Sequence, residues 1–169
     1  MNKMIPALLS LACAASLAAG ADDSLVKFKG GIGVIPVSSA TGTAPTSALA
    51  NRNIVRGVQP SGQPWVIEDL RADVSATGHV AVDGRALLIA GGNLVATNAN
   101  ARVFATVVCE ASAPFVERST DLGGVALDAS GDFRIDDVLV PAPVDCASPV
   151  LFIRNAANGT WFAAGIVKR

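Results

Sequence analysis

Through most of the chain, apolar and polar residues alternate with a period of two. Val26 and Phe28 alternate with Lys27 and Lys29. Trp65, Ile67 and Leu70 are set against Glu68, Asp69 and Arg71. The clearest run is Gly131-Asp132-Phe133-Arg134-Ile135-Asp136-Asp137-Val138-Leu139. This spacing turns one face of a strand to a core and the other to water. Nowhere after residue 21 do apolar residues hold a 3.6 period behind a capping box.

In chain order, Leu25 to Val37 is the first strand region, and its Gly30-Gly31 break suggests a bulge or bend. Pro36 places the end of that segment at a sheet edge or strand terminus. Ser38 to Ala50 is uncharged and rich in Ser, Thr and Ala, as in a flexible linker or loop. Asn53 to Val58 predicts a short strand, Gln59 to Pro64 a turn, and Trp65 to Val74 a longer strand. Asp83-Gly84 between apolar runs is the signature of a tight hairpin, though a bulge within one long strand fits the same residues.

Gly91 to Asn100 is a polar loop holding Asn93, Asn98 and Asn100. Arg102 to Cys109 is almost continuously apolar, as in a strand buried on both faces. Gly123 to Ala129 and Asp132 to Val140 predict a hairpin around Ser130-Gly131. After the proline-rich loop Pro141 to Pro149, Val150 to Arg154 and Trp161 to Val167 form a last pair joined by Asn155 to Gly159. Eight to ten short strands between turn signals predict an all-β fold, a single antiparallel β-sandwich.

The stretch Leu127 to Val138, with its Asp-Ala-Ser-Gly-Asp-Phe-Arg-Ile core, resembles part of transthyretin-like and carboxypeptidase-regulatory-like domains. The resemblance covers about a dozen residues, and the glycine-tyrosine turn that follows in those families is missing, since the chain has no Tyr. It implies an immunoglobulin-like or transthyretin-like sandwich and nothing about activity.

The first 21 residues have the layout of an export signal. Lys3 supplies the positive start, Ile5 to Leu17 the apolar stretch, and Ala19-Gly20-Ala21 the small-x-small cleavage site. A retained anchor needs about 20 apolar residues, and here Pro6, Ser10 and Ser16 interrupt the run. A lipid attached at Cys13 calls for a large aliphatic residue where Ser10 stands. The expected organisation is a signal at 1–21, an N-terminal strand region at 22–37, a linker at 38–50 and a sandwich domain at 51–169. No transmembrane segment is expected after cleavage, and the expected location is secreted or periplasmic.

Without Lys3 the basic count falls from 13 to 12 against 14 acidic residues, a net charge of −2. That balance argues against a nucleic-acid binder, which usually carries a basic patch or stripe. Cleavage also leaves two cysteines, Cys109 and Cys146, which in an exported chain most simply pair. Closing a loop of that length contributes about 4 kcal/mol in the chain-entropy model.

Candidate chemistry is sparse, and no cofactor is expected. His79, the only histidine, lacks a G-x-S-x-G nucleophile to serve. Asp128, Ser130, Asp132, Asp136 and Asp137 are dense enough to raise calcium, with Asp128, Asp132 and Asp136 as ligands. The EF-hand template fails, because Phe133 takes its glycine position and Leu139 its terminal glutamate; turn chemistry is the plainer account. Asp69 with Asp73, or Glu68 with Asp83, could form a glycosidase pair if space brought them together.

Arg85, Arg102, Arg118, Arg134 and Arg154 fall on separate predicted strands, and arginine outnumbers lysine 9 to 3 after the signal. A row of Arg85, Arg102, Arg134 and Arg154 on one face could bind an anionic glycan or a partner's carboxylates. Cross-strand pairing with nearby acids is the alternative. Trp65 and Trp161 suit either a sugar platform or a core. Asn158-Gly159-Thr160 fits a glycosylation pattern, of no consequence behind a bacterial-type signal.

These observations favour an exported, non-enzymatic module of a bacterial envelope that serves binding, adhesion or an accessory role. Its partner would be a protein or glycan of that envelope. A self-assembling subunit that pairs its N-terminal strand with a neighbour is an alternative, and a small secreted hydrolase a second one.

Overall fold

The computed structural model describes residues 24–41 and 49–168. The expected export signal, with Cys13 and the expected cleavage site after Ala21, lies outside the described residues, as does the middle of the predicted linker. Among the described residues every regular element is a strand. None forms a helix long and apolar enough to cross a membrane.

Thirteen strands are present: β1 (Ser24–Gly33), β2 (Val37–Thr41), β3 (Leu49–Arg52), β4 (Trp65–Val66), β5 (Asp69–Ser75), β6 (His79–Arg85) and β7 (Leu88–Ile89) are followed by β8 (Arg102–Val108), β9 (Arg118–Ser119), β10 (Val125–Ala126), β11 (Phe133–Val138), β12 (Val150–Asn155) and β13 (Trp161–Val167). Nine of them form one antiparallel sheet in the order β10-β8-β12-β13-β1-β5-β6-β11, with β9 also on the edge of β8. The pairs β2–β3 and β4–β7 stand apart. The sheet folds over on itself, so its two halves face each other across one core.

The fold-over happens in β1. Its first part, Ser24 to Lys29, pairs with β5, while Gly31 to Gly33 pair with β13 on the other edge. Between them Gly30 takes a left-handed φ of 91° and the register slips, so the predicted glycine break is a true bulge. Gly33 has a second reason to lack a side chain, since a Cβ there would sit 2.0 Å from the Trp65 carbonyl oxygen. At the far side, Ser119 and Val140 exchange backbone hydrogen bonds of 3.1 and 2.8 Å, which brings the sandwich close to a barrel.

The core runs through the whole fold, from Phe28 and Leu70 through Val82, Val107 and Ile135 to Leu151 and Ile153, all buried. Cys109 and Cys146 are joined, their Cα atoms 4.3 Å apart across a separation of 37 residues. The bond pins the loop that follows β11 to the end of β8, where Ser148 N–H also donates to the Cys109 carbonyl at 3.0 Å.

Several expectations need correction. Asp83-Gly84 is not a hairpin, because β6 runs straight through it. Gly84 is there for packing: the Phe133 ring lies across it, and a Cβ would meet that ring at 2.1 Å. The segments around Ser130-Gly131 do not pair with each other; β10 joins β8 and β11 joins β6 over six residue pairs. Asn53 to Val58 is a turn closed by a single Val55–Val58 bridge. Both ends of the predicted linker are strands that pair as β2–β3. The N-terminal strand lies inside the sheet with a partner of its own chain on each side, and Pro36 falls beyond its terminus at Gly33 rather than on a sheet edge.

Candidate binding groove

The residues suspected of binding are scattered by the strand order. Arg85 and Arg134 lie on β6 and β11, Arg102 and Arg154 on β8 and β12, with β13, β1 and β5 between the two pairs. The expected row of four arginines therefore does not exist. Arg85 lies 3.7 Å from Asp132. Arg154 is held by Glu117 at 2.5 Å and the Gly159 carbonyl at 2.7 Å, and its guanidinium covers the Phe104 ring at 5.2 Å. Arg118 is sealed against Glu110 at 2.8 Å.

Around Arg134 the outer face of the first half carries charges of both signs, mostly in opposite pairs, with Lys29 facing Arg71 as a like pair. Across it run Lys29, Arg71, Asp83 and Arg134 in register, and beside them Lys27, Asp73, Ala81 and Asp136. Opposite charges directly across a ladder support it by fractions of a kcal/mol per pair. Hollows of about 390 and 300 Å³ interrupt this face.

The acids are similarly occupied. Asp128 Oδ1 accepts from the Ser130 and Asp132 N–H groups at 2.8 and 2.9 Å, and Asp132 Oδ1 from Ala86 N–H at 2.9 Å. Asp136 bonds His79 Nε2 at 2.7 Å. The three calcium candidates are thus engaged separately, and among the described residues no three metal-ligating side chains converge. Asp69 and Asp73 share a strand, and four steps at about 3.3 Å set them about 13 Å apart, beyond the ~5–9.5 Å that glycosidases use. Asp69 bonds Arg71, and Asp73 bonds Lys27 and the Ser24 hydroxyl. Asp83 borders the charged hollows, which Glu68 does not reach.

A different place gathers unspent polar groups. At the end of the sandwich where the β12–β13 turn meets the β7–β8 loop, a groove of about 640 Å³ opens, within the ~300–1,000 Å³ of small-molecule sites. Its base is Trp65 stacked on Phe162, ring centroids 3.9 Å apart and planes 18° apart. Both rings are almost wholly buried, and the Trp65 indole N–H donates to the buried Ser61 hydroxyl at 3.2 Å. Trp161 is buried too, beneath the segment 53–61, its indole N–H donating to the Asn53 carbonyl at 3.2 Å. Neither tryptophan is a surface platform. Ile89 and Leu94 complete the apolar lining.

The rim is made of Gln63, Asn100, Arg102 and Asn155. Asn155 stands there because it starts the turn: its Oδ1 accepts from Ala157 N–H at 3.0 Å, which leaves its amide N–H₂ for other partners. Arg102 donates from Nε to the Gly123 carbonyl at 2.8 Å and from Nη2 to the Gly124 carbonyl. The side-chain amides of Asn100 and Gln63 have no protein partner among the described residues.

The β7–β8 loop is tied by its own hydrogen bonds. Ile89 and Thr97 close it with one backbone bond and Ala96 and Ile89 with another, at 2.9 and 2.8 Å. The Thr97 hydroxyl donates to the Leu94 carbonyl, and the Asn98 amide reaches the Asp128 carbonyl. Ala96, Ala99 and Asn100 all hold left-handed φ angles, of 61°, 50° and 51°. Alanine gains nothing from that conformation, which costs about 1–2 kcal/mol per residue. Such strain clusters at ligand-holding sites.

The groove was not foreseen from the sequence. Its one trace is the crowding of three asparagines into the loop before β8. Comparison with known protein families, curated proteins and solved structures finds no match to this chain.

Proposed function

We propose that the protein is an exported, non-enzymatic binding module of a bacterial cell envelope, and that it holds its ligand in the groove between the β7–β8 loop and the β12–β13 turn. The observation that carries this reading is the preformed loop: three left-handed residues held in place beside the side-chain amides of Gln63 and Asn100, which have no partner among the described residues. A disulfide agrees with an oxidising compartment outside the cytoplasm. The partner, in this reading, is a component of the envelope itself.

Co-sedimentation with isolated cell envelopes tests it. The exported chain should pellet with them. Leu94→Lys, which places a charge on the exposed groove wall, should release it, whereas Arg134→Glu on the charged face should not. Retention of the Leu94→Lys protein at the wild-type level, or no sedimentation of the unaltered chain, would overturn the proposal.

A further inference from the structure

We infer that the groove takes an uncharged saccharide, a class of ligand that rests on the binding reading above and narrows it. The first reason is electrostatic. Among the described residues no carboxylate lines the groove, so a cationic ligand finds no counter-charge there. Its cation, Arg102, is exposed at the rim, held by Nε and Nη2 to the carbonyls of Gly123 and Gly124, so its attraction for an anion is screened by water and worth little. Burying a charge without a partner is costly, so a neutral ligand is the one this lining accepts.

The second reason is the kind of polar group present. Gln63, Asn100 and Asn155 each bring a carboxamide, which can donate and accept at once. A sugar hydroxyl also does both. A hydrocarbon chain would leave all three amides unpaired at its edge. Phe162, Trp65 and Ile89 floor the groove from within the core, so the exposed Leu94 is the apolar side chain that can meet the C–H face of a pyranose ring, and the volume admits a short oligosaccharide. Because the loop is held before the ligand arrives, little ordering entropy is lost on binding.

Three trisaccharide probes of similar size separate the possibilities: neutral triacetylchitotriose, its cationic deacetylated form, and anionic trigalacturonic acid. Each is titrated into the exported chain while backbone amide resonances are followed. The neutral probe should shift Asn100, Ala101 and Phe162 saturably and bind at least tenfold tighter than either charged one. Asn100→Gly keeps the left-handed backbone while removing the amide, and should weaken binding about fivefold, the worth of one net hydrogen bond. Equal affinity for all three probes, tighter binding of a charged one, or shifts that bypass the groove would overturn the inference. If no probe binds at the groove but envelope pelleting persists and is lost in Leu94→Lys, the ligand class is wrong and the binding reading stands. If pelleting fails as well, both fall.

Discussion

The two halves of the folded sheet solve the same problem in opposite ways. In β5 and β6 every second residue is buried, Leu70, Ala72 and Val74 in one strand and Val80, Val82 and Gly84 in the other, and the positions between are charged, polar or small. Water covers that outer face. In β8 the residues from Val103 to Val108 are all buried, and β12 and β13 each hold three consecutive buried positions. Here chain replaces water. The segment 53–61 lies along Trp161 with backbone bonds of 2.9 and 3.1 Å, and Arg56 ties it to Ser148 at 2.9 Å and covers Phe115. A face that water covers tolerates change, whereas a face that chain covers must fit. The groove opens at the end of the covered half, where the covering segments leave a gap.

The sharpest test substitutes lysine at one position in each half. Thr106 is fully buried, bonded to the Ser119 hydroxyl at 2.8 Å and to Arg154 at 3.3 Å. Thr106→Lys brings an ammonium beside a guanidinium with no acid to spare, at a cost above ~4 kcal/mol. Ala81 lies between Asp73 and Asp136 on the wet face. Ala81→Lys should change stability by less than about 0.5 kcal/mol. Urea unfolding of both variants gives the comparison, and equal losses would erase the distinction between the halves.

Next in size is the disulfide. Replacing Cys109 and Cys146 together by alanine should cost about 4 kcal/mol for a 37-residue separation. The effect should be visible as a lower urea midpoint, with the loop around Val144 gaining amide exchange before the β5–β6 ladder does. Gly84→Ala should follow, at about 1–3 kcal/mol, the range for forcing extra carbon into a filled core. Its Cβ must displace the Phe133 ring, so near-ultraviolet circular dichroism should change with it.

The same contrast explains what could be foreseen. Alternation around Phe28, Val82 and Ile135 was legible because one face of those strands meets water, and the unbroken run before Cys109 announced a strand covered on both sides. Cys109 and Cys146 were legible because only two cysteines follow residue 21. Pairing was harder. Gly84 sits in mid-strand because Phe133 lies over it from another strand, whereas Ser130-Gly131 is a true turn, closed by the Gly131 N–H on the Asp128 carbonyl at 3.0 Å, whose flanking strands pair elsewhere. The groove was hidden more deeply still. Gln63, Asn100 and Asn155 are far apart in sequence and ordinary in type, and only the meeting of two turns makes them a rim.

The smallest effect tests how the covering chain is fastened. Glu110 receives Arg118 Nη2 at 2.8 Å and the Val116 N–H at 3.1 Å, and so closes the segment between β8 and β9. The Arg118 hydrogen bond, aided by the Val116 N–H and opposed by burial, lowers the Glu110 carboxyl from its usual 4.5 to about 2. A carboxyl lowered on folding contributes its stability fully above the unfolded value and loses it as pH falls through the folded one. Glu110→Gln should therefore cost about 1–2 kcal/mol at neutral pH, the scale of a hydrogen bond to a charged group. The difference from the unaltered protein should shrink between pH 4.5 and about 2 and vanish below. Denaturant midpoints of the two proteins across that range measure it. A gap that stays constant with pH would mean that Glu110 acts by shape alone, and that the covering segment is held by packing rather than by charge.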